Sequence, residues 1–324
     1  MKAIVCKSFG PPDTLVYEDV KSPPLGKGDV RIAVKAAGIN FPDTLIIQGK
    51  YQLKATPPFT PGGEVAGTVL ECGEKVKHVR PGDAVAAIVP TGGYAEEVVA
   101  SGDAVLALPR GMDLVEAAAF PFVYGTTLHA LKQRANLKAG ETLLVLGAAG
   151  GVGLAAVQLG KLMGARVIAA ASSDEKLALC KEQGADEVVN YSTTSLKEAV
   201  KTLTKGQGAD VIYDPVGGDL AQDCFSAINW NGRYLVIGFA AGKIPEVALN
   251  RLLLKGASAV GVFWGAFVAR EPKANWENFQ QLFGWYTAGQ LKPHISKRYP
   301  LAQAATALND MLARKVTGKI VLVP

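Results

Sequence analysis

A glycine-rich turn between an apolar run and an amphipathic segment constrains the fold more than any other feature. Residues 142–146 read Thr-Leu-Leu-Val-Leu, and residues 147–153 read Gly-Ala-Ala-Gly-Gly-Val-Gly. Such an unbroken apolar run is typical of a parallel strand that is buried on both faces. Apolar residues then recur at helical spacing from Val152 to Met163, which predicts a helix. A strand, a glycine turn and a helix in this order are the context of a dinucleotide-binding fingerprint.

The glycines of this turn differ from the plain G-x-G-x-x-G pattern, because Ala149 stands in place of the second glycine. Glycines let a pyrophosphate approach the backbone, and the helix that follows offers N–H groups and the positive end of its dipole. We therefore predict that the turn binds a dinucleotide through Ala149, Gly150, Gly151 and Val152. Close packing for structural reasons alone is the alternative, and the repeating pattern that follows makes it the weaker one.

Strands and helices alternate after the turn. The predicted strands lie near 142–147, 166–171, 187–190, 209–214, 233–238 and 257–262. The predicted helices between the first five lie near 151–163, 174–183, 195–204 and 218–228. This alternation predicts an α/β fold with a doubly wound parallel sheet.

The rest of the chain has a different pattern. Residues 1 to about 120 contain short β-rich runs separated by Pro and Gly, which predicts a small barrel-like domain. The tail is predicted to contain helices at Trp276–Ala288 and Leu301–Arg314. It ends in an apolar strand, 318–323, that we expect to return to the first domain.

Composition excludes some classes of protein. A length of 324 residues suggests about two domains, and a net charge of +5 without a basic block argues against nucleic acid as a partner. Neither a signal peptide nor an apolar run long enough to span a membrane is seen, so we expect a cytoplasmic protein without a membrane partner. The four cysteines lie far apart and form no C-x-x-C pair, which favours reduced thiols.

Five segments carry a resemblance to a known family. They are residues 37–43 (Ala-Gly-Ile-Asn-Phe-Pro-Asp), 61–67 (Pro-Gly-Gly-Glu-Val-Ala-Gly), 79–85, 147–153 and 317–321 (Thr-Gly-Lys-Ile-Val). In this order they resemble the zinc-independent quinone oxidoreductase (zeta-crystallin-like) group of the medium-chain dehydrogenase/reductase superfamily. The resemblance implies a GroES-like substrate domain at 1–122 and 263–324, a Rossmann domain at 123–262, and an active site in the cleft between them.

The resemblance also bears on metal binding. Zinc-containing relatives carry cysteine and histidine ligands where this chain has Asn40, Gly63 and Tyr124 or its neighbours, and their four-cysteine lobe is missing here. Thiolates and imidazoles are the ligands that hold zinc in proteins. We therefore predict no metal site, and we expect acceptors that take hydride without a Lewis acid, namely quinones and activated double bonds.

The end of the second Rossmann strand indicates the cofactor. NAD sites place a carboxylate there to hold the ribose diol, whereas this chain has Ser172 and Ser173, with Lys176 one helical turn on. Two hydroxyls and a cation suit a 2′-phosphate, which favours NADPH. Asp174 and Glu175 are expected to act as cap and dipole partners of the next helix. The resemblance places Tyr191 beside the same phosphate.

Further site residues are predicted on both domains. The resemblance implies that Asn40 lies near the nicotinamide ribose, that Asp43 supports the cleft, and that Tyr51 is a cleft tyrosine able to donate a hydrogen bond to the acceptor oxygen. Turn or cap roles for Asn40 and Asp43, and an ordinary half-buried position for Tyr51, are the alternatives. The remaining predicted cofactor contacts are Thr126, Thr127, Val216, Gly217, Gly238, Phe239, Phe263, Trp264 and Lys319. For the two threonines, helix packing is an equally good interpretation.

The sequence thus predicts an NADPH-dependent, zinc-independent reductase of quinones or conjugated carbonyls. An enoyl-thioester or alkenal reductase of the same superfamily is the main alternative, and a non-catalytic nucleotide- or RNA-binding protein is a weaker one. The last Rossmann strand is apolar and is expected at the sheet edge. Since exposed apolar edges invite association, we predict a homodimer through this strand.

Overall fold

In the computed structural model, which describes residues 1–52 and 54–324, the amino-terminal part of the chain consists mainly of strands. These are β1 (Lys2–Val5), β2 (Val16–Asp19), β3 (Asp29–Gly38), β4 (Glu64–Cys72), β5 (Ala84–Ile88), β6 (Glu97–Ser101) and β7 (Val105–Ala107). Two short helices, α1 (Phe41–Ile46) and α2 (Leu114–Ala117), lie between and after them. Most of these strands pair antiparallel, with β3 between β4 and β6. The β-rich prediction for this part is confirmed.

Strands and helices alternate in the next part, after helix α3 (Pro121–Leu128) and its wider helical continuation (His129–Arg134). The elements are β8 (Thr142–Leu146), α4 (Gly151–Leu162), β9 (Arg166–Ala171), α5 (Asp174–Glu182), β10 (Glu187–Asn190), α6 (Leu196–Leu203), β11 (Ala209–Asp214), α7 (Leu220–Ala227), β12 (Ile228–Val236), α8 (Asn250–Leu253) and β13 (Ser258–Gly261). The strands are parallel in the order β10-β9-β8-β11-β12-β13, which is the order of a Rossmann sheet. The predicted doubly wound fold is confirmed.

One strand of this sheet differs from its predicted range of 233–238. β12 spans Ile228–Val236, so it begins earlier and ends two residues sooner. The last ladder bond runs from the Ile237 N–H to the Asp214 carbonyl oxygen, at 3.0 Å. The ladder ends there because the N–H of Val216, which follows β11, donates to Asp214 Oδ1 at 2.7 Å instead of to the neighbouring strand.

The last part of the chain comprises α9 (Trp264–Arg270), α10 (Pro272–Thr287), β14 (Ile295–Pro300), α11 (Ala304–Leu312) and β15 (Lys319–Val323). β15 pairs antiparallel with β3 and parallel with β14. The last strand therefore joins the sheet of the first domain, as predicted. The helix predicted at Leu301–Arg314 starts as a tight turn over Leu301–Gln303 and continues as α11.

The chain divides into two compact units, residues 1–122 with 292–324 and residues 123–291. The predicted boundary at 262/263 therefore lies at 291/292 in the structure, because α9 and α10 belong to the second unit. Phe267 of α9 stacks on His129 at a ring distance of 3.9 Å, and Asn278 of α10 accepts from the Gln133 amide at 2.9 Å. Both helices thus pack on the helix that opens the second unit.

Each unit has its own apolar core. Ile32, Val65, Val85 and Ile320 lie in the core of the first unit, and Leu144, Ile168, Ile212 and Phe225 in that of the second. Across the described parts of the chain, every helix is too short or too polar to cross a bilayer.

Candidate active site

The glycine turn lies between β8 and α4, where the strand order of the parallel sheet reverses. Gly150 precedes α4 in extended conformation, and its residue type leaves the first turn without a side-chain cap. The first N–H groups of a helix lack partners within the helix, so this end offers donors to an anion. A Cβ on Gly153 would lie 2.3 Å from the Gly147 carbonyl oxygen, so glycine is required for α4 to begin this close to the strand. The turn fits a dinucleotide pyrophosphate.

A second turn beside it is shaped by Asp214, at the end of β11. Its Oδ1 accepts from the N–H groups of Val216 at 2.7 Å and of Gly217 at 2.8 Å, and its Oδ2 accepts from the hydroxyl of Tyr234. A Cβ on Gly147 would lie 2.9 Å from the Val216 side chain, which places this turn against the glycine turn. The predicted residues Val216 and Gly217 therefore lie where the sequence places them.

Gly238 and Phe239 follow β12 and lie at the same edge of the sheet. Gly238 N–H reaches the Asp214 carbonyl oxygen, and a Cβ on Gly217 would lie 3.1 Å from the ring of Phe239. The carboxyl ends of β11 and β12 thus bring four of the predicted contacts into one region. Ligands of open parallel sheets bind at this edge.

The residues predicted to select the cofactor lie at the ends of β9 and β10. Ser173 caps α5, its Oγ accepting from the Lys176 N–H at 3.4 Å, and Ser172 is exposed. Tyr191 N–H donates to the Ala171 carbonyl oxygen at 3.1 Å, so the tyrosine follows the neighbouring strand end. The structure therefore brings the predicted set together at one pair of strand ends.

The nearby acidic residue has another partner. Asp174 Oδ1 accepts from Asn190 Nδ2 at 2.8 Å, and the residue lies in the first turn of α5. The cap of α5 is therefore Ser173, and the predicted capping role of Asp174 and Glu175 is wrong, whereas both carboxylates lie where they stabilise the helix dipole, as predicted.

The two predicted threonines of α3 differ in burial. Thr127 is fully buried, and its Oγ1 lies 2.9 Å from the hydroxyl of Tyr213 and 3.4 Å from the Val152 carbonyl oxygen. Its side chain therefore holds α3 on the start of α4, which corrects the prediction of a cofactor contact. The neighbouring Thr126 is half-buried, so the prediction for Thr126 stands.

Trp264 and Phe263 follow β13 and differ in exposure. Trp264 is buried, its Nε1 donates to Asn275 Oδ1 at 3.2 Å, and a Cβ on Gly125 would lie 2.5 Å from its ring. It thus packs between α9, α10 and α3, and its predicted cofactor contact stays a prediction. Phe263 is 61% exposed and remains a candidate.

The first unit contains a buried polar cluster around Asn40, the residue before α1. Asn40 Nδ2 donates to Glu64 Oε2 at 3.0 Å, and Lys319 Nζ donates to Asn40 Oδ1 at 2.7 Å and to Glu64 Oε2 at 3.0 Å. The third proton of the ammonium goes to the Ile39 carbonyl oxygen at 2.9 Å. Lys319 was predicted to contact the cofactor, but its three protons are used inside this cluster. The structure therefore gives Lys319 a supporting position.

Asp43 and Tyr94 extend the cluster. Asp43 Oδ2 accepts from the Asn40 N–H at 2.8 Å and from the Tyr94 hydroxyl at 2.7 Å. Asp43 is 2% exposed, and this burial, partly opposed by the two hydrogen bonds, raises the pKa of its carboxyl from 3.8 to about 6. Its contact with the Asn40 N–H is also one half of a capping box, so the cap interpretation of Asp43 is correct as well.

Tyr51 lies near this cluster and is half-buried. Its burial and the negative charge of Asp43 raise the pKa of its phenol. A phenol with a raised pKa keeps its proton at neutral pH and acts as a hydrogen-bond donor. The structure thus brings Asn40, Asp43 and Tyr51 into one region of the first unit, and their catalytic roles remain predictions.

The sequence analysis missed two members of this cluster, Glu64 and Tyr94. Glu64 is fully buried at the first residue of β4, and its Oε1 accepts from the Phe122 N–H at 2.6 Å. A charged residue at the start of an apolar strand was the available signal. Tyr94 lies in a Gly-rich loop, where nothing in the pattern distinguishes it from a surface tyrosine.

The grouping of possible metal ligands agrees with the residues seen around Asn40. Within residues 1–52 and 54–324, no three His, Cys, Asp or Glu side chains are grouped so that they could hold a metal ion. The positive charge next to the Glu64 carboxylate comes from the Lys319 ammonium, whose Nζ lies 3.0 Å from Glu64 Oε2.

Comparison with known proteins gives consistent results. Residues 26–110 match the alcohol dehydrogenase GroES-like domain, and residues 151–285 match the zinc-binding dehydrogenase domain. The chain is 42% identical to quinone oxidoreductase-like protein 2 homolog of Nematostella vectensis, over 99% of this chain and 88% of that protein. The Escherichia coli quinone oxidoreductase, solved as a complex with NADPH, is 29% identical and covers all of both chains with a TM-score of 0.92. The CurK enoyl reductase is 27% identical over 99% of this chain and 98% of its own, with a TM-score of 0.88.

The chain belongs to the quinone oxidoreductase group of the medium-chain dehydrogenase/reductase superfamily, and it is an oxidoreductase with a GroES-like and a Rossmann-like part.

Proposed function

We propose that this member of the quinone oxidoreductase group is an NADPH-dependent, zinc-independent enzyme that transfers a hydride to a quinone or a conjugated carbonyl. The observation that carries the proposal is the glycine turn at the strand-order reversal, with two serines and a lysine at the end of the next strand. The NADPH complex of the similar Escherichia coli enzyme supports the choice of cofactor.

The geometry supports a set of residues that would hold the cofactor. The glycine turn and the first N–H groups of α4 bind the pyrophosphate. Ser172, Ser173, Lys176 and Tyr191, at the ends of β9 and β10, bind the 2′-phosphate. The engagement of Asp174 with Asn190 keeps its carboxylate on the helix and away from the position where an NAD site needs an acid.

The chain's own residues then bind and orient the acceptor. When bound, NADPH supplies the hydride, and the protein contributes orientation and electrostatics. Tyr51 donates a hydrogen bond to the acceptor oxygen as negative charge develops there, and its raised pKa keeps the phenolic proton in place for that role. Asn40 offers its amide to the ligand from the buried cluster.

Zinc independence is part of the proposal. The positions that match zinc ligands in relatives hold the amide of Asn40 and Gly63, neither of which supplies a thiolate or an imidazole. The Lys319 ammonium, 2.7 Å from Asn40 Oδ1 and 3.0 Å from Glu64 Oε2, already neutralises the carboxylate there. A metal has no unpaired negative charge to bind at this point.

An enoyl-thioester or alkenal reductase is the second candidate, supported by the similarity to the CurK enoyl reductase. Steady-state rates with NADPH on naphthoquinone and on crotonyl-CoA distinguish the two. The proposal predicts the higher kcat/KM on naphthoquinone. A higher kcat/KM on crotonyl-CoA would make the enoyl reductase the correct assignment, and turnover of neither would contradict both.

A homodimer through β13 is proposed as the assembly. β13 is the last strand at one edge of the parallel sheet, with Ser258, Ala259 and Gly261 exposed and Val260 half-buried. An edge of this kind pairs readily with a second strand. Pairing with its own copy across a two-fold axis would close the assembly.

A further inference from the structure

The side chain of Asn40 is held between two opposite charges from distant parts of the sequence. Lys319 Nζ donates to Asn40 Oδ1 at 2.7 Å, and Asn40 Nδ2 donates to Glu64 Oε2 at 3.0 Å. An ammonium only donates and an ionised carboxylate only accepts, so these partners determine which end of the amide is oxygen and which is nitrogen. The amide therefore has a single orientation.

The two charged residues are themselves fixed. Lys319 Nζ also donates to the Ile39 carbonyl oxygen at 2.9 Å, and Glu64 Oε1 accepts from the Phe122 N–H at 2.6 Å. The side chains of Lys319 and Glu64 are 5% and 0% exposed. Turning either one away would leave a buried charge without its partner, which is strongly unfavourable.

The backbone is also shaped to admit the carboxylate. Gly38 of β3 pairs with Glu64 on one side and with Val321 of β15 on the other. A Cβ on Gly38 would lie 2.4 Å from Glu64 Oε2 and 2.2 Å from the Ala118 carbonyl oxygen. The ends of β3, β4 and β15 therefore meet next to Asn40. The Glu64 side chain fits there because position 38 is glycine, since any side chain at that position would overlap the carboxylate.

Stability gives no sufficient reason for this arrangement. The desolvation cost of a buried ion pair is comparable with the attraction between its charges, and apolar residues of similar volume serve a core as well. What the pair encloses is the Asn40 amide. Its Nδ2 donates one proton to Glu64, and its Oδ1 accepts from Lys319 Nζ and, as the other half of the capping box, faces the Asp43 N–H. The orientation thus leaves the second Nδ2 proton for a hydrogen-bond acceptor of the ligand.

We propose that Lys319 and Glu64 are positioning residues that orient the Asn40 amide for the bound cofactor or acceptor. This inference rests on the proposed function, in which Asn40 contacts the ligand. Neither charged side chain touches the ligand, because their polar atoms are used within the cluster.

The test is a set of variants measured with NADPH and naphthoquinone. The double variant E64Q/K319M removes both charges, keeps an acceptor for the Phe122 N–H, and leaves the amide free to turn. It should lower kcat/KM about tenfold or more, as N40A does, because a misplaced hydrogen-bond partner acts like a missing one. The triple variant N40A/E64Q/K319M should be no worse than N40A alone, because the pair acts only through the amide.

A second ion pair provides the matched control. Arg233 and Glu141, 2.7 Å apart and partly buried in the second unit, are replaced in E141Q/R233M. That variant should lose thermal stability and keep its kcat and KM within about twofold, since surface and framework pairs act on stability alone. If E64Q/K319M does not fold, E64D keeps the charge, withdraws it from Asn40 and is expected to show the same loss of kcat/KM.

Three results would overturn the inference. Wild-type kinetics in folded E64Q/K319M would show that the orientation of the amide is unimportant. Additive losses of kcat/KM in the triple variant would show that the pair acts independently of Asn40. Wild-type kinetics in E64D would show that the bond from Asn40 to Glu64 is dispensable.

An activity-independent measurement separates this inference from the proposed function. The side-chain NH2 signal of Asn40, assigned by its absence in N40D, should show slow exchange in the wild type and fast exchange in E64Q/K319M. Unchanged exchange would contradict the inference. If exchange changes while N40A binds NADPH and turns over naphthoquinone normally, the orientation is correct and the proposed ligand contact of Asn40 is wrong.

Discussion

The buried carboxyl of Asp43 makes a specific prediction about stability and pH. Its folded pKa of about 6 lies above its ordinary value of 3.8, chiefly because burial disfavours the charged form. Between these two values the folded state holds a proton that the unfolded state has lost, so stability falls as pH rises through this range. Above the folded pKa the loss is complete.

The perturbation that isolates this effect is D43N. Both hydrogen bonds of the carboxyl go to Oδ2, from the Asn40 N–H and the Tyr94 hydroxyl, so a single amide oxygen can accept both. The difference between 3.8 and about 6 corresponds to about 3 kcal/mol, because a tenfold change in proton affinity is worth about 1.4 kcal/mol. The free energy of unfolding of the wild type, relative to D43N, should therefore fall by about 3 kcal/mol over the whole titration, of which about 2.4 kcal/mol falls between pH ~4 and pH ~7.

The assay must report on the first unit. The four tryptophans are Trp230, Trp264, Trp276 and Trp285, which all lie in the second unit, so tryptophan fluorescence is unsuitable. Hydrogen exchange of peptides that cover β3 and β4, in a urea series at each pH, measures the unfolding that matters. A pH-independent difference between wild type and D43N would refute the reasoning.

Asp186 provides a control of opposite sign. Burial opposes its ionisation, but the ammonium of Lys161 at 2.7 Å, the N–H of Val167 and the charge of Arg166 together outweigh burial and lower the pKa. The carboxylate therefore contributes stability that is lost as pH falls through its folded pKa. The free energy of unfolding of the wild type, relative to D186N, should therefore rise with pH only below about 3.8, and it should stay constant over the range in which the Asp43 contribution falls.

Three further predictions concern the cofactor, the metal and the assembly. K176A should raise the KM for NADPH roughly ten- to a hundredfold, or ~1.5–3 kcal/mol, and leave the kinetics with NADH near wild type. The matched variant K181A should leave the kinetics with both cofactors near wild type. An unchanged ratio of the KM values for NADPH and NADH in K176A would contradict the 2′-phosphate assignment. Activity should survive exhaustive EDTA treatment, and elemental analysis that finds about one zinc per chain, lost together with activity, would exclude zinc independence. Light scattering should give the mass of a dimer, whose interface we expect to bury roughly 1,500 Å² or more. V260D should give monomers or aggregates, because it places an unpaired charge in the interface. A monomeric wild type at micromolar concentration would contradict the dimer.

The Rossmann sheet was predictable because its strands carry their own signal. β9 and β11 each have an apolar centre, at Val167–Ala171 and Val211–Tyr213, next to polar residues, and their observed limits coincide with the predicted ones. β12 was misplaced because its end depends on a hydrogen bond to Asp214 Oδ1, which belongs to another strand. The boundary after β13 was misplaced for the same kind of reason, since α9 and α10 pack on residues far away in the chain.

The candidate site was predictable where one segment suffices and not where distant segments meet. The glycine turn and the serines after β9 are local patterns, and the structure has them where the sequence places them. Lys319 and Glu64 are 255 positions apart, so no pattern within either segment shows that they form a pair. Thr126 and Thr127 share the same local signal, and only the packing of α3 buries Thr127.

The measurement that tests the central claim most directly is a single-turnover reaction of the NADPH-loaded, EDTA-treated protein with naphthoquinone. The nicotinamide absorbance should fall by one equivalent of NADPH per quinone reduced. The step should be slower when the transferred hydrogen of NADPH is deuterium, and the same reaction loaded with NADH should be much slower. An absorbance that stays constant on mixing, or NADH that reacts as fast as NADPH, would contradict the assignment of this chain as an NADPH-dependent quinone reductase.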